Sequence, residues 1–541
     1  MKTGNVLIIV LGLLVLIGTS ASGLTSPRLS ANPAALNFGR IDFGITSEKK
    51  VTIRNRGNSD VVIGSIEIAG ANPSDFGQTN DCVTIPPGNS CAITVKFAPT
   101  AAGKRSGIIN LYSSDDPGNP TVRVKLSGRV DAAELPIAAT GGRETSFSAA
   151  FDGTNYLVGI QGDEISDTSV TAQLVPRSGV LDTPRISTGG SGSAPVVAFD
   201  QTNYLLVWSE GPSPSGLLNG QFISQSGDLV GSTFMIGAGT DIKTYKSLFD
   251  GTNYFVVWDN DTSPGIDDTS DIYGQFVTPS GQLLGPSIAV STEAHGQRFP
   301  ALAFDEPNIL VTWADGRNQS ACETTTEGTV CYESDIFGQF ISKSAESTAG
   351  TLSGPNFPIS TSRLPRNKPM SVAFDGENYF VGFSETTTLP GRCPSTGCKS
   401  RIYGQFVATT GISAGRKINI ATAAKDADNL HPVLVFNGAY YLMTWTNGYG
   451  TKTAHVRGRF FDTSGRPLSG VFLLASVARS NNNSGIPAKS VALSATPLFD
   501  GTNYFWIINR GKPGKNPKDF AAYTDVDVYI TIGPGPSQSA P

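Results

Sequence analysis

The chain has 541 residues, a formal net charge of −5 and only 16% charged residues. Its length predicts two or more domains or one large repeat array. The low charge, with 61 glycines and 34 prolines, is typical of a turn-rich all-β protein. The lack of a basic segment argues against nucleic acid as a partner.

The first 22 residues have the pattern of a secretory signal peptide. Lys2 provides the positive charge, residues 6–17 form the apolar stretch, and residues 18–22 are small. The apolar stretch is too short for an ordinary membrane span. We therefore expect a secreted, cell-surface or periplasmic protein with no transmembrane segment after cleavage; a retained anchor is the alternative. Residues 23–32 are predicted to be a linker.

The six cysteines fall into three close pairs. These are Cys82 and Cys91, Cys322 and Cys331, and Cys393 and Cys398. Six cysteines allow fifteen pairings, but short loops close at little entropic cost. The spacing favours three local disulfides, in keeping with export. The alternative of a metal site has no suitable ligand spacing behind it.

Residues 33–130 read as a separate β-sandwich, because short alternating strands are separated by turn-forming residues. The expected strands are Ala35–Phe38, Lys50–Asn55, Val61–Ile68, Cys91–Phe97, Gly107–Tyr112 and Thr121–Leu126.

The amino-acid sequence of this module resembles that of a known family. Leu36-Asn-Phe-Gly39, Pro87-Gly-Asn-Ser-Cys91 and Val95-Lys-Phe-Ala-Pro-Thr100 resemble the abnormal-spindle/hydin type of immunoglobulin-like domain. Bacterial versions occur in secreted proteins labelled choice-of-anchor D. The resemblance implies a spacer or docking module at the cell surface, with no catalytic residue. It also implies that Cys82 pairs with Cys91.

A six-residue motif occurs seven times in the rest of the chain, after residue 130, at spacings of 48 to 70 residues. The copies are 151–156, 199–204, 249–254, 304–309, 374–379, 436–441 and 499–504, mostly in the form Phe-Asp-Gly-Thr-Asn-Tyr. Repeats of this period built from short strands predict a β-propeller. We assign the repeated aspartate to turn formation and the five tryptophans of the second strands to packing.

Each repeat supplies four strands, but the seventh lacks its fourth. Leu135–Thr140 has the form of a fourth strand, so we expect it to pair with Asp527–Ile530 and close the array, since an open array leaves unpaired edges. The sequence thus predicts a seven-bladed β-propeller over residues 131–533, closed by an N-terminal outer strand, with a flexible tail at 534–541. The phrases Val256-Val-Trp-Asp259 and Asp271-Ile-Tyr-Gly-Gln275 resemble those of bacterial secreted propellers.

Long connections are expected on one side of the blades, where a rigid scaffold would present binding loops. The segment 259–271 carries five aspartates there: Asp259, Asp261, Asp267, Asp268 and Asp271. They could bind calcium, although the spacing departs from the regular calcium loop; the alternative is a solvated acidic loop. No other cofactor is expected.

Asp315 and Arg317 form a second candidate site in the same set of loops. Together with Asp259 and Asp261 they could contact a polar ligand. The alternative is structural, with Arg317 as the partner of Asp315 or Asp335.

No nucleophile elbow, zinc-protease motif or phosphate-binding loop occurs. The sequence therefore predicts a non-enzymatic binding or adhesion protein that contacts a glycan or a surface protein. One alternative is a carbohydrate-active hydrolase or lyase, which needs only two suitably placed acids. The other is a structural component of the envelope or matrix.

Overall fold

The computed structural model describes residues 28–533 with gaps. The gaps are 43–45, 100–102, 132–134, 139–144, 146–147, 163–167, 178–180, 182, 212–215, 263–268, 319–321, 326–327, 332–334, 344–349, 362–367, 387–399, 422–428, 448–454, 477–490 and 514–522. The predicted signal peptide and C-terminal tail lie outside this range. The chain divides into two compact units, Met1–Asp131 and Ala132–Pro541.

Strands make up almost all of the regular structure, and the described part contains no α-helix. The all-β prediction is confirmed. None of the described residues forms a helix of the length and apolar character that a membrane crossing needs.

Unit 1 contains two sheets that share one apolar core. The strands are β1 Leu29–Asn32, β2 Ala35–Asp42, β3 Ser47–Asn55, β4 Val61–Ala69, β5 Phe76–Asn80, β6 Thr84–Ile85, β7 Ser90–Phe97, β8 Gly103–Ser113 and β9 Val122–Asp131, with a 3₁₀ turn at Pro73–Asp75. One sheet has the order β1-β3-β7-β5 and the other β2-β9-β8-β4-β6. All six strands expected from the sequence are present.

The N-terminal edge of unit 1 differs from the prediction. β1 lies in the stretch assigned to a linker, and it pairs antiparallel with β3, with Leu29 opposite Asn55. Leu29 and Ala31 also pack against the core of the unit. These apolar contacts and the ladder hydrogen bonds explain why the stretch forms a strand.

One predicted disulfide is present in the described residues. Cys82 and Cys91 are bonded, with their Cα atoms 5.2 Å apart, within the usual range for a disulfide. The backbone places Cys322 directly opposite Cys331 in a two-stranded ribbon, where the disulfide between them stays a prediction. Cys393 and Cys398 lie outside the described residues.

Unit 2 is built of seven four-stranded sheets, which we number in chain order. Sheet 1 is β11 Ala149–Phe151, β12 Asn155–Gln161, β13 Ser169–Pro176 and β14 Ile186–Ser191; sheet 2 is β15 Ser193–Phe199, β16 Asn203–Glu210, β17 Gly216–Ser224 and β18 Leu229–Gly239; sheet 3 is β19 Ile242–Phe249, β20 Tyr254–Asp261, β21 Ser270–Val277 and β22 Leu283–Ser291.

Sheet 4 is β23 Gln297–Asp305, β24 Asn308–Asp315, β27 Asp335–Ser342 and β28 Thr351–Ser360, with the ribbon β25 Cys322–Thr325 and β26 Gly328–Cys331 inserted; sheet 5 is β29 Lys368–Phe374, β30 Asn378–Thr386, β31 Ser400–Ala408 and β32 Ser413–Ala421; sheet 6 is β33 Asn429–Phe436, β34 Tyr441–Asn447, β35 His455–Phe461 and β36 Phe472–Ser476; sheet 7 is β37 Val491–Phe499, β38 Tyr504–Pro513, β39 Tyr523–Gly533 and β10 Leu135–Ala138.

The outer strand of sheet 7 comes from the start of the unit. β10 pairs antiparallel with β39, and Leu135 lies opposite Ile530. This is the pairing that the missing fourth strand predicted. The first and last segments of unit 2 therefore belong to one sheet.

The sheets pack face to face in a closed cycle. Six apolar clusters join sheet 1 to sheet 2 and so on up to sheet 7. A seventh cluster joins sheet 7 back to sheet 1, where the rings of Tyr156 and Phe505 stack with their centroids 4.0 Å apart. Alternation of side chains along a strand lets each sheet bury both of its faces in this way.

The repeated aspartate, at the turn between the first and second strands, accepts hydrogen bonds from its own turn and, in sheet 7, also from a neighbouring sheet. In sheet 3, Asp250 Oδ1 accepts the backbone N–H groups of Thr252 and Asn253, as its assignment to turn formation predicts. In sheet 7, Asp500 does the same and its Oδ2 also accepts the hydroxyl of Tyr156, 2.6 Å away in sheet 1. We call this contact between sheets the tyrosine latch.

The Gly-Gln-Phe repeat of the third strands is explained by packing. The Nε2 group of Gln275 donates to the carbonyls of Leu284 and Gly285 in the fourth strand. Gln221, Gln339 and Gln405 make the equivalent bonds in their sheets, whereas Gln173 donates to Thr183, just before the fourth strand of sheet 1. A Cβ on Gly274 would lie 2.3 Å from the ring of Phe255. The glutamine thus ties the outer strand to the sheet, and the glycine makes room for an aromatic ring.

Candidate functional site

The candidate residues lie at the end of the sheets where the second strands finish and the first strands begin, which we call the loop end. Six of the seven first strands carry a bulge near this end. Three residues at the bulges have positive φ: Ala194 at 45°, Phe299 at 58° and His431 at 53°. Bulges and left-handed residues re-aim side chains and are frequent beside functional sites.

Asp259 is buried, and both of its carboxylate oxygens accept hydrogen bonds from the protein. Its Oδ1 accepts the N–H groups of Lys243 and Thr244, and its Oδ2 accepts the Thr244 hydroxyl and the N–H of Phe299. Burial raises the pKa of this carboxyl against the effect of those hydrogen bonds. Asp259 therefore holds together the bulged first strands of sheets 3 and 4.

Asp261 belongs to a charged cluster at the same place. The Nζ of Lys243 lies 3.1 Å from Asp261 Oδ2 and 3.1 Å from Asp241 Oδ2. Arg298 Nη2 lies 3.9 Å from Asp261 Oδ2, and its Nε donates to Ser270. We call Asp241, Lys243, Asp261 and Arg298 the charged cluster.

Solvent reaches the charged cluster unevenly. The side chain of Lys243 is 47% exposed and that of Asp241 17%, whereas that of Asp261 is 2% exposed. Burial acts to lower the pKa of Lys243, but hydrogen bonds to the carboxylates of Asp261 and Asp241 outweigh it and raise the pKa. The lysine therefore stays protonated between two acids in unlike surroundings.

Asp315 and Arg317 form a mutual pair. Arg317 Nε lies 2.8 Å from Asp315 Oδ1, and Arg317 Nη2 lies 2.7 Å from Asp315 Oδ2. Trp313 Nε1 donates to the same carboxylate, and the guanidinium lies over the ring of Phe337, 4.2 Å from its centroid. These contacts correspond to the structural alternative considered for Arg317.

The proposed calcium residues are only partly described. Asp267 and Asp268 lie outside the described residues, and Asp271 is half-buried, with a pKa that burial raises. Among the described residues, no three acids of the segment 259–271 lie close enough to hold one ion together. Calcium binding in this segment stays a prediction.

A cavity of about 350 Å³ opens between sheets 5 and 6, at residues that the sequence analysis did not single out as a site. Its described lining comprises Asn419, Ile420, Ala421, Asn429, Trp445, Asn447, Arg457, Arg459 and Val471. None of these residues is acidic. The sequence feature that marks this cavity is Arg457-Gly-Arg-Phe460, which stands where other repeats have Tyr-Gly-Gln-Phe.

Comparison with known families supports the interpretation of unit 1. Residues 27–129 match the HYDIN/CFA65/VesB-like, Ig-like domain family, which confirms the predicted resemblance of this module to a hydin-type domain. The match covers only the N-terminal part of the chain. No curated protein gives a significant match.

Solved structures give distant likenesses. A protein of unknown function from Porphyromonas gingivalis W83 is 17% identical over 20% of this chain, which spans only half of that protein, with a TM-score of 0.17. An alpha-L-arabinanase from Penicillium chrysogenum, complexed with arabinobiose, is 9% identical over 58% of this chain and 94% of its own, with a TM-score of 0.36. An alpha-L-arabinofuranosidase from Lactobacillus brevis is 12% identical over 54% and 97%, with a TM-score of 0.30.

The prediction that the chain is not an enzyme is corrected on this finding. The alpha-L-arabinanase and the alpha-L-arabinofuranosidase are enzymes by name, and the prediction rested on the lack of a recognised motif. Carboxylate-based chemistry needs no local motif, because its two acids can come from distant parts of the chain.

Proposed function

We propose that the seven sheets of unit 2 are the blades of one seven-bladed β-propeller that acts on carbohydrate as a hydrolase or lyase. The charged cluster at the loop end would carry the chemistry. Unit 1 would serve as a spacer or docking module of the sandwich type. The signal-like N-terminus and the disulfide suggest that the protein works outside the cytoplasm.

The observation that carries the proposal is the pair of carboxylates on Lys243. Because Asp241 and Asp261 each lie 3.1 Å from one nitrogen atom, their contacting oxygens are within about 6 Å of each other. Glycoside hydrolysis uses carboxylates separated on this scale. One acid is buried and the other reaches solvent, and unlike environments are what give two acids different roles.

Within this proposal the acids have distinct tasks. Asp241, the more exposed, would be the acid that reaches the substrate first, and Asp261 would be the second carboxylate of the pair, kept ionised by Lys243 and Arg298. Asp259 would act as a positioning residue, since it holds Thr244 and Phe299 beside the cluster. No cofactor is needed for these steps.

The test is product release from a panel of neutral and acidic polysaccharides by the purified protein. We expect Asp241→Asn and Asp261→Asn to lower the rate by about 10²–10⁴-fold. Asp228→Asn, which removes an exposed carboxylate from a tight turn of sheet 2, should leave the rate unchanged. Absence of product from every polysaccharide, or cleavage that survives both variants, would refute the assignment.

A further inference from the structure

The cavity between sheets 5 and 6 lies at a position that is equivalent, in sheet 4, to one occupied by a side chain of the protein. In sheet 4, the guanidinium of Arg317 lies there, over Phe337 and against Asp315. The same guanidinium donates to Ser291, which ends the outer strand of sheet 3. The place is thus walled by the second and third strands of one sheet and the outer strand of the preceding sheet.

The strand registers identify the same place in sheet 6. Phe337 is the register partner of Trp313, as Arg457 is of Trp445. Ser291 is the partner of Ile272, as Ala421 is of Ile402. The residues Trp445, Arg457 and Ala421 line the cavity, which therefore corresponds to the position of Arg317.

In sheet 5 the equivalent position is occupied by a lysine of the outer strand, and not by an arginine of a loop. The Nζ of Lys417 lies 4.4 Å from the ring centroid of Tyr403 and also contacts Glu385. Lys417 precedes Ile418, the register partner of Gly404. In sheet 6 the corresponding residue is Val471, because it precedes Phe472, the partner of Gly458.

Sheets 4 and 5 each hold a cation paired with an acid at this place, whereas the described wall in sheet 6 has two arginines and no acid. Its wall carries Arg457 where sheets 4 and 5 have an aromatic ring, and Arg459 where they have the repeated glutamine. Asn447 replaces the acids Asp315 and Glu385. The cavity thus has cations in its wall and no acid among its described lining residues.

A buried amide in the wall also has no partner. Asn429 is 1% exposed, its Oδ1 accepts from Asn447, and its Nδ2 makes no hydrogen bond within the described part of the chain. In sheet 4 the corresponding Gln297 Nε2 donates to backbone carbonyls. An unsatisfied buried donor is costly, and a ligand oxygen in the cavity would satisfy it.

We propose that this cavity binds a hexuronate unit of an acidic glycan, with the carboxylate held by Arg457 and Arg459. A guanidinium binds carboxylate with strong, directional hydrogen bonds. The Asn429 and Asn447 amides would bind sugar hydroxyls, and Trp445 provides an apolar wall. The volume of about 350 Å³ is at the lower end for small-molecule sites. The choice of an acidic glycan rests on the proposed function.

Titration calorimetry of the purified protein tests the site with galacturonate, galactose and acetate. We expect galacturonate to bind more tightly than either of the other two. Arg457→Gln should weaken galacturonate binding by about tenfold or more. The matched control is Arg416→Gln, which removes an exposed arginine from the outer strand of sheet 5 and should leave binding unchanged.

A second variant separates loss of the site from loss of the fold. Asn447→Glu combined with Val471→Lys rebuilds the acid and cation of sheet 5 in sheet 6, and it should abolish binding with no loss of the thermal unfolding transition. Equal binding of galactose or acetate, or galacturonate binding that survives Arg457→Gln and the double variant, would overturn the proposal. Binding is measured without turnover, so a protein that binds galacturonate through Arg457 but cleaves nothing would refute only the hydrolase or lyase activity.

Discussion

At the scale of single residues, the tyrosine latch shows how one repeated aspartate stabilises both a turn and a boundary between sheets. The hydrogen bond between Tyr156 of sheet 1 and Asp500 of sheet 7 could not be predicted from the sequence, because the two residues are 344 positions apart. Sheet 4 has Ile309 in place of the tyrosine. There, Lys343 supplies the missing donor, with its Nζ 2.6 Å from Asp250 Oδ1.

We expect Lys343→Met to destabilise unit 2 by about 3 kcal/mol, because it leaves the buried carboxylate of Asp250 without its counter-ion. Urea unfolding would measure the change. The double variant Asp250→Asn, Lys343→Met should recover most of the loss, since Asn437 fills the same turn in sheet 6 with its side chain bonded to two backbone N–H groups. If the double variant is no more stable than Lys343→Met, the ion pair is not the cause.

At the scale of strands and sheets, the sequence predicts most of the fold. The phrase Phe-Asp-Gly and the alternation of the second strand mark the hairpins directly, and β10 was found by counting strands. The site was less predictable. Asp259 and Asp261 stand out because they are close in the chain, whereas Asp241 and Arg298 join the charged cluster only through bulges and packing between sheets.

The glycine of the third strand provides a test of packing within one sheet. We expect Gly274→Ala to destabilise unit 2 by about 1–3 kcal/mol, because the new methyl group would overlap the buried ring of Phe255. Gly470→Ala is the control, since no atom outside its chain neighbours lies within 4 Å of the added Cβ. Equal urea midpoints for the two variants would contradict the argument.

At the scale of the whole of unit 2, the contact between sheet 7 and sheet 1 closes the cycle. It combines the β10–β39 ladder, the stacked rings of Tyr156 and Phe505, and a polar contact in which Asp500 Oδ2 lies 3.0 Å from Arg177 Nε. Burial opposes ionisation of Asp500, but hydrogen bonds from Asn503, Tyr156 and Thr502, together with Arg177, outweigh it and hold the pKa below its usual value.

This lowered pKa makes the closure sensitive to acid. A carboxyl whose folded-state pKa is depressed contributes stability above its unfolded pKa of about 3.9, and that contribution is lost as pH falls through the folded-state pKa. We expect Asp500→Asn to be less stable than the native protein at pH 7, with the difference shrinking towards pH 3 in urea unfolding. Glu377→Gln, at an exposed turn of sheet 5, should show no such convergence; a constant deficit for Asp500→Asn would contradict the assignment.

The pairing of β10 with β39 also has a consequence for biosynthesis. β10 leaves the ribosome nearly 400 residues before its partner strand, so sheet 7 cannot be completed until almost the whole chain has been made. Until then the growing polypeptide presents the free strand β10 and an uncovered face of sheet 1 at one end of the array, and an uncovered face of sheet 6 at the other. The interval before the last strand emerges is therefore the period in which association with another nascent copy competes with closure.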